Sequence, residues 1–355
     1  MSSIFQADII EDYKQLYESE EGYDVKIYIG EDENDLDELH AHSVVLRSRS
    51  PYFRRAFSDE WMKKQDGYFI FKKPNFSVSV FKVILKFIYC GTANISNIEG
   101  TEIVKILNAA DELGLIKFIE FIQEFLIMNK IKILHQDPTI ICPIAHQGPE
   151  NLTKIYLETI CHNPEILFES DKFFSIEEDV IILILKSDEL AMDEIKIWNC
   201  LIKWGIEQTP KLKNDPKKLT DQDFITLEKR LHNCIPLIRF RQISTENFYL
   251  KVWPFKKIIS EEFINDTLNG YLVPNSTPFY NVLPPRISPL ASILIGKNHA
   301  IIFSNWIDKR SSYYNDYRKL PYKFELIFRS SQDGPSPINF HKKCDNQGPN
   351  IVVAS

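Results

Sequence analysis

A few cysteine and histidine residues stand close enough in the sequence to suggest nucleophilic chemistry. His341 and Cys344 are three residues apart and would meet on one face of a helix, where a histidine can activate a thiolate. A packed thiol beside a surface histidine explains the same spacing. No GxSxG, GxGxxG or HExxH motif accompanies the pair. We therefore predict no catalytic site.

Two other cysteine–histidine pairs have the chemistry of zinc ligands. Cys142 and His146 are four residues apart, and Cys161 is followed directly by His162. A structural zinc site needs four such ligands, and neither pair has two more at a suitable spacing. We interpret both pairs as structural and predict neither a bound metal nor an organic cofactor.

The charge is unevenly distributed along the chain. Residues 1–39 contain thirteen acidic residues and two lysines, a charge of −11, whereas the net charge of the whole chain is −7. The remainder has no concentrated basic segment, so we expect no nucleic-acid partner. The acidic run at residues 31–38 is interpreted as a solvated hairpin loop, with an acidic docking patch as the alternative.

Composition indicates an intracellular globular protein. The 355 residues, 44% hydrophobic and 26% charged, allow two or three domains with substantial cores. Apolar runs are far shorter than the roughly 20 residues that span a bilayer, and the acidic N-terminus is unlike a signal peptide. The six cysteines are scattered without CxxC pairs, which is typical of reduced and mostly buried thiols. We expect a cytoplasmic or nuclear location.

The first part of the chain predicts a small sheet covered by helices. Val25, Ile27 and Ile29 alternate with polar residues, as in a half-buried strand. Residues 76–89 place apolar side chains on one helical stripe, and Gly91 is expected to end that helix. Further strands are predicted at residues 38–42 and 68–71, and further helices at 43–49, 51–57, 101–113 and 115–128.

This region resembles a BTB/POZ domain, an interaction module without a catalytic centre. The matching positions are Asp24, His42, Ser50 to Phe53, Tyr89, Gly91, Ala109 to Asp111 and Leu113. The resemblance implies structural roles for Asp24, His42, Tyr89, Gly91 and Asp111. We expect Asp24 and His42 to form a buried polar pair that pins a strand to a helix.

The residues before this region form a candidate dimerisation helix. Phe5, Ile9, Tyr13 and Leu16 lie on one side of a predicted helix. In proteins with a BTB domain such a helix packs across the partner subunit, so the resemblance implies a symmetric homodimer. The alternative is that the helix folds onto its own domain.

The resemblance also implies a contact with cullin-3 after the second short helix. The candidate contact residues are Phe57, Glu60, Trp61 and Met62. Cullin-binding relatives have an apolar residue, any residue and then Glu, whereas this chain has Trp61, Met62 and Lys63. The reversed charge weighs against the contact, unless Glu60 compensates.

Residues 129–273 have helical periodicity almost throughout. They resemble a BACK domain, the helical domain that commonly follows BTB, through Phe168 to Phe173, Ser187 to Leu190, Glu194, Trp198, Trp204, Gly205 and Ile238 to Phe240. We predict helices at residues 152–161, 176–185, 192–206 and 220–234 and a last helical pair at 255–272, and we interpret Trp198 and Trp204 as core residues.

Beyond a proline-rich linker the pattern changes to strands, predicted at residues 293–295, 300–302, 324–328 and 351–353. The region resembles the first half of a TLDc domain through Trp306 to Asp308, Tyr322 to Leu326, Arg329 to Gly334, Phe340, His341, Cys344 and Asp345. A later Gly-Gly-Tyr-Asn-Pro segment of that family is absent. A half domain would leave strand edges unpaired. TLDc resemblance implies protection against oxidative stress and contact with the proton-pumping ATPase.

The sequence thus predicts a multidomain α+β protein. Its parts are an N-terminal dimerisation helix (1–21), a BTB/POZ domain (22–128), an all-α BACK domain (129–273), a linker (274–289) and a partial, β-rich TLDc domain (290–355). The expected function is a non-enzymatic adaptor that dimerises and recruits an unidentified client to a cullin-3 ubiquitin ligase. The alternative is a dimeric scaffold without a ligase role that acts through the tail.

Overall fold

The computed structural model describes most of the chain. It covers residues 6–32, 35–58, 64–209, 212, 216–273, 276–278, 283, 286, 297–309, 314, 320–322, 324, 326–328, 330–334, 336–348 and 350–353. The chain divides into two compact units, residues 1–284 and residues 285–355.

The first unit begins with a helix and a three-stranded sheet. Helix α1 is Gln6–Ser19, and the strands are β1 (Val25–Asp32), β2 (Asp35–Ala41) and β3 (Phe69–Lys73). The strand order is β2-β1-β3, with β2 antiparallel and β3 parallel to the central β1. Alternate residues of β1 from Val25 to Ile29 are completely buried, so the predicted period-two strand is confirmed.

Five helices pack around this sheet: α2 (Ser43–Arg49), α3 (Pro51–Ala56), α4 (Val78–Cys90), α5 (Gly100–Glu112) and α6 (Ile116–Met128). The Ser50 hydroxyl caps α3, and Pro51 occupies its first turn. Gly91 ends α4 with a left-handed φ of 66°, a conformation that glycine adopts without strain. All of these helices were predicted within about two residues, the usual uncertainty at helix ends.

A helical region follows, with α7 (Lys130–Gln136), α8 (Ile141–Gln147), α9 (Glu150–His162), α10 (Glu165–Phe168), α11 (Glu178–Lys186), α12 (Glu194–Glu207), α13 (Asp221–Leu231), α14 (Thr245–Asn247) and α15 (Glu261–Leu272). Trp198 and Trp204 are buried, and their indole N–H groups donate to the carbonyls of Lys251 (3.2 Å) and Ile176 (3.0 Å). Both tryptophans are core residues, as interpreted from the sequence.

A buried ion pair links Asp266 of α15 to Arg241, and Arg241 also contacts the residues that follow α15. Asp266 is 1% exposed and accepts two hydrogen bonds from Arg241, at 2.7 Å and 2.6 Å. Arg241 also donates to the carbonyls of Ser276 (2.8 Å) and Thr277 (3.2 Å). The guanidinium group therefore holds residues 276–277 against the helical region.

The second unit contains α16 (Lys297–Ile307), α17 (Ser330–Asp333) and α18 (Pro337–Cys344). The strand predicted at residues 300–302 is wrong, because Ala300, Phe303 and Ser304 are buried together on one side of α16. The described residues of the strands predicted at 324–328 and 351–353 are not in strands. The strand predicted at 293–295 lies outside the described residues. None of the described helices is long and apolar enough to cross a membrane.

Candidate protein-interaction site

A polar network joins β1, α2 and α4 at the edge of the sheet. Asp24, just before β1, accepts hydrogen bonds from the backbone N–H and the hydroxyl of Ser43, both at 2.7 Å. Burial favours the neutral carboxyl, but these hydrogen bonds and Lys64 at 3.3 Å outweigh it and hold the pKa of Asp24 below its usual value. Asp24 is therefore a charged anchor for the start of α2.

His42 and Tyr89 form the second half of this network. The Tyr89 hydroxyl accepts from the backbone N–H of His42 at 2.8 Å and lies 2.8 Å from His42 Nδ1. His42 Nε2 lies 2.8 Å from the carbonyl oxygen of Glu21. Burial raises the pKa of Tyr89, so this hydroxyl stays protonated. The network thus ties α4 both to α2 and to the segment that follows α1.

The geometry corrects one detail of the predicted signature. The Asp24 side chain bonds to Ser43 and the His42 ring bonds to Tyr89, so the expected direct pair of Asp24 and His42 is replaced by two separate contacts. The hydroxyl of Ser43 in the first turn of α2 donates to Asp24, and the N-cap residue His42 makes no side-chain cap. Asp111 is exposed in α5, and its backbone carbonyl accepts from the N–H of Gly114 at 2.9 Å.

Sequence reasoning missed a second histidine at this edge. His40 Nδ1 lies 2.6 Å from Glu20, its Nε2 lies 3.0 Å from Glu38, and its ring stacks on Tyr23 at 3.9 Å. Burial lowers the pKa of His40, yet the two carboxylates outweigh it and raise the pKa above its usual value. The hydrogen bond from Lys26 is the main reason why the pKa of Glu38 is lowered to about 2. The acidic residues near His40 in the sequence could have indicated that this histidine forms ion pairs.

Helix α1 is packed at one end and exposed at the other. Leu16 and Tyr17 pack against the core, and the ring of Tyr17 lies 5.3 Å from that of Tyr89. Ile9 and Tyr13 are 55% and 41% exposed. Phe5 lies outside the described residues. Of the four predicted dimer-helix residues, Leu16 thus packs on its own domain, whereas Ile9 and Tyr13 are available to a partner.

The candidate cullin contact begins at a buried residue. Phe57 is completely buried, with its ring 5.4 Å from that of Phe53 and 5.2 Å from that of Phe69. Its side chain offers no surface to a partner, so its expected direct contact is corrected to an anchoring role. Glu60, Trp61 and Met62 lie outside the described residues, and their contact remains a prediction.

The three cysteine–histidine pairs lie in helices α8, α9 and α18. Cys142, Cys161 and Cys344 are buried thiols. His341 is on the exposed side of α18, where its Nδ1 lies 3.1 Å from Asp345. Burial raises the pKa of Cys142, which disfavours the thiolate needed for nucleophilic attack.

One group of described residues has the composition of a cation site. His146, Glu177 and Asp179 each offer a ligand atom, all within 4.8 Å of one another, and all three residues are exposed. His146 Nε2 lies 2.6 Å from Asp179, and its Nδ1 lies 3.8 Å from Glu177. The imidazole therefore bridges the two carboxylates with its own nitrogens, and these contacts tie the end of α8 to the start of α11.

Comparison with known families agrees with the arrangement of the sheet and helices. A BTB/POZ domain model matches residues 13–130, and a model described as BTB And C-terminal Kelch, or BACK, matches residues 145–222. The chain contains a BTB/POZ domain followed by a BACK domain. These matches do not support the TLDc resemblance of residues 290–355.

Three curated proteins are similar to part of the chain, and one of them is named for its BTB/POZ domain. The chain is 22% identical over 198 residues to BTB/POZ domain-containing protein 9 of Drosophila melanogaster, covering 55% of this chain and 26% of that protein. It is 28% identical over 177 residues to Kelch-like protein 25 of Xenopus laevis, covering 49% and 28%. It is 24% identical over 176 residues to human Kelch-like protein 6, covering 48% and 26%. The chain thus aligns with about a quarter of the length of each relative.

Among solved structures, the BTB domain of human gigaxonin matches 36% of this chain and 96% of its own chain. The sequence identity is 22% and the TM-score is 0.28.

Proposed function

We propose that this protein is a non-enzymatic adaptor that joins other polypeptides through its BTB domain. The observation that carries the proposal is the order of the two domains, BTB and then BACK, which the chain has in common with its Kelch-like relatives. The partners that we propose are a second copy of the chain, cullin-3 and an unidentified client. An intracellular location in the cytoplasm or nucleus fits these partners.

The surface after α3 is the proposed cullin-3 contact. Phe57, which precedes these residues in the sequence, is anchored in the core. Trp61 supplies the apolar group that the contact needs, and Lys63 supplies a charge opposite to the acid of cullin-binding relatives. We propose that Trp61 binds cullin-3 and that Lys63 weakens the complex.

The test is a titration of the full chain with the N-terminal domain of cullin-3. We expect Trp61→Ala to abolish binding and Lys63→Glu to strengthen it about tenfold, because the substitution removes an unfavourable interfacial charge. Lys186→Glu makes the same charge change on an exposed part of the BACK domain and should leave binding unchanged.

A dimeric scaffold without a ligase role is the second candidate, favoured by the charge of Lys63. Absence of binding at micromolar concentrations for both the natural chain and Lys63→Glu would establish this second candidate. In that case the tail, which we also propose as the region that holds a client, would carry the function without the ligase.

A further inference from the structure

His146, Glu177 and Asp179, here called the His146 group, bring an imidazole and two carboxylates together on the surface of the BACK domain. Their ligand atoms lie within 4.8 Å of one another. Ligands lie about 2.0–2.2 Å from a zinc ion, which places them roughly 3.3 Å from each other in a tetrahedral site. The three side chains are 35%, 60% and 62% exposed, so rotation about their own bonds can close the remaining distance.

The two carboxylates of the group have no permanently charged partner within the part of the chain that the structure describes. Their ion-pair contacts are with His146 alone, at 2.6 Å from Asp179 and 3.8 Å from Glu177. The neighbouring Glu178 differs, because Arg230 pairs with it at 3.6 Å. When the imidazole is neutral, the group therefore has a double negative charge and attracts a cation.

Another histidine between two carboxylates shows what distinguishes this group. His40 contacts Glu20 and Glu38, but Lys26 binds Glu38 at 2.9 Å and supplies a positive charge there. Among the described residues, no lysine or arginine does the same at the His146 group. The group thus combines metal-ligating side chains with a negative charge that no permanent cation of the described chain balances.

The types of ligand favour zinc over calcium and magnesium. Calcium and magnesium take oxygen ligands, whereas imidazole nitrogen is a ligand of zinc and other transition metals. One imidazole and two carboxylates are three protein ligands, and water can take the fourth position of a tetrahedral ion. Zinc binds the neutral imidazole, so the ion would replace the hydrogen bond between His146 Nε2 and Asp179.

The sequence pairs His146 with Cys142, one turn earlier in α8, but the fold gives it other partners. Cys142 is buried and is not among the clustered ligand atoms. Asp179 is 33 residues beyond His146 in the sequence, and both carboxylates come from the start of α11. A bound ion would therefore join α8 to α11.

The His146 group lies at the junction between the BTB and BACK domains. Gln147, the next residue of α8, accepts a hydrogen bond from Asn108 of α5 at 2.9 Å. A cavity of about 450 Å³ beside the group is lined by Thr101 of α5 as well as by Glu177. Helix α8 therefore connects α5 of the BTB domain with α11 of the BACK domain, and an ion on His146 would stiffen that connection.

We propose that His146, Glu177 and Asp179 bind a zinc ion, with water as the fourth ligand, and that this ion stiffens the junction between the BTB and BACK domains. The site is independent of the adaptor function proposed above, because it needs neither a second copy nor cullin-3 nor a client. Zinc then controls how rigidly the BACK domain is held on the BTB domain.

Calorimetric titration of the chelator-treated full chain with zinc tests the site. We expect saturable binding in the micromolar range. His146→Ala should weaken this binding at least about tenfold because it leaves only carboxylate ligands, and the double variant Glu177→Gln with Asp179→Asn should weaken it as much. His232→Ala is the matched control and should leave binding unchanged, since His232 pairs with Glu228 at 3.2 Å but belongs to no such group of described residues.

Two further measurements report on the ligands and on the junction. Cobalt bound in place of zinc should give visible absorption bands that His146→Ala removes, whereas a sulfur-to-cobalt charge-transfer band would place the metal on a cysteine and overturn the assignment. Zinc should slow amide hydrogen exchange in α5, α8 and α11 of the natural chain and leave it unchanged in His146→Ala.

The outcomes separate the site from its effect on the junction. Absence of saturable binding to the natural chain, or equal binding to His146→Ala, would overturn the zinc site and leave His146 as a bridge between two carboxylates. Binding that His232→Ala weakens equally would also overturn it. Binding at the His146 group without slower exchange in α5 would overturn the stiffening of the junction alone. Circular dichroism checks that the variants, all at exposed positions, remain folded.

Discussion

Tyr89 holds three parts of the BTB domain together through one hydroxyl group. The oxygen accepts from the backbone N–H of His42 and contacts its ring, while the ring of Tyr89 supports Tyr17 of α1. A buried N–H without an acceptor costs the full desolvation of that group. The hydroxyl is therefore more important for stability than its size suggests.

Replacement of Tyr89 by Phe removes only this oxygen. We expect the free energy of unfolding to fall by about 1–3 kcal/mol, because the N–H of His42 loses its acceptor. Tyr249→Phe, at a residue that is 69% exposed, should change it by less than about 0.5 kcal/mol. Urea denaturation of both variants gives the comparison, and equal stabilities would show that the Tyr89 hydroxyl has no structural role.

The residues of this network were predictable, but their bonding was not. Aspartate, histidine and tyrosine at matching positions identified Asp24, His42 and Tyr89. Ser43 has a hydroxyl that serves a helix cap or a neighbouring carboxylate equally well, and only the fold decides between them. Burial of Phe57 was also hidden, because an aromatic residue at the end of a helix is equally suited to core and interface.

At the scale of elements, the ion pair of Arg241 and Asp266 fixes the path of the chain beyond α15. Both oxygens of Asp266 are bonded to Arg241, and Arg241 also holds residues 276–277 through their carbonyls. Removal of one partner from a buried pair leaves an uncompensated charge.

We expect Arg241→Met to lower the free energy of unfolding by about 3–5 kcal/mol, because Asp266 stays buried without its cation. Adding Asp266→Leu should restore part of the loss. Lys257→Met breaks an exposed pair with Asp221 and should cost at most about 1 kcal/mol. The measurement is again urea denaturation, and equal losses in the Arg241 and Lys257 variants would contradict the role given to the buried pair.

Periodicity predicted the elements of the first unit well and failed in the second. The helices of residues 100–128 have apolar stripes long enough to distinguish a period of 3.6 from a period of 2. Residues 300–303, Ala-Ile-Ile-Phe, form an apolar run too short for that distinction, and the β-branched isoleucines favoured a strand. The buried positions 300, 303 and 304 show that packing on one face of α16 prevailed.

At the scale of the whole molecule, Ile9 and Tyr13 in the first half of α1 are exposed, so the isolated chain leaves this part of the helix uncovered. The apolar spacing of α1 was recognisable in the sequence, whereas the exposure of Ile9 and Tyr13 depends on how the other end of the helix packs on α4. The dimer that we propose as part of the adaptor function would cover this part of α1 with a second copy of the chain.

The mass of the full chain in solution, measured by sedimentation equilibrium at micromolar concentrations, tests this account most directly. The account predicts particles of twice the 41.5 kDa of one chain. Particles of 41.5 kDa at every concentration would contradict it.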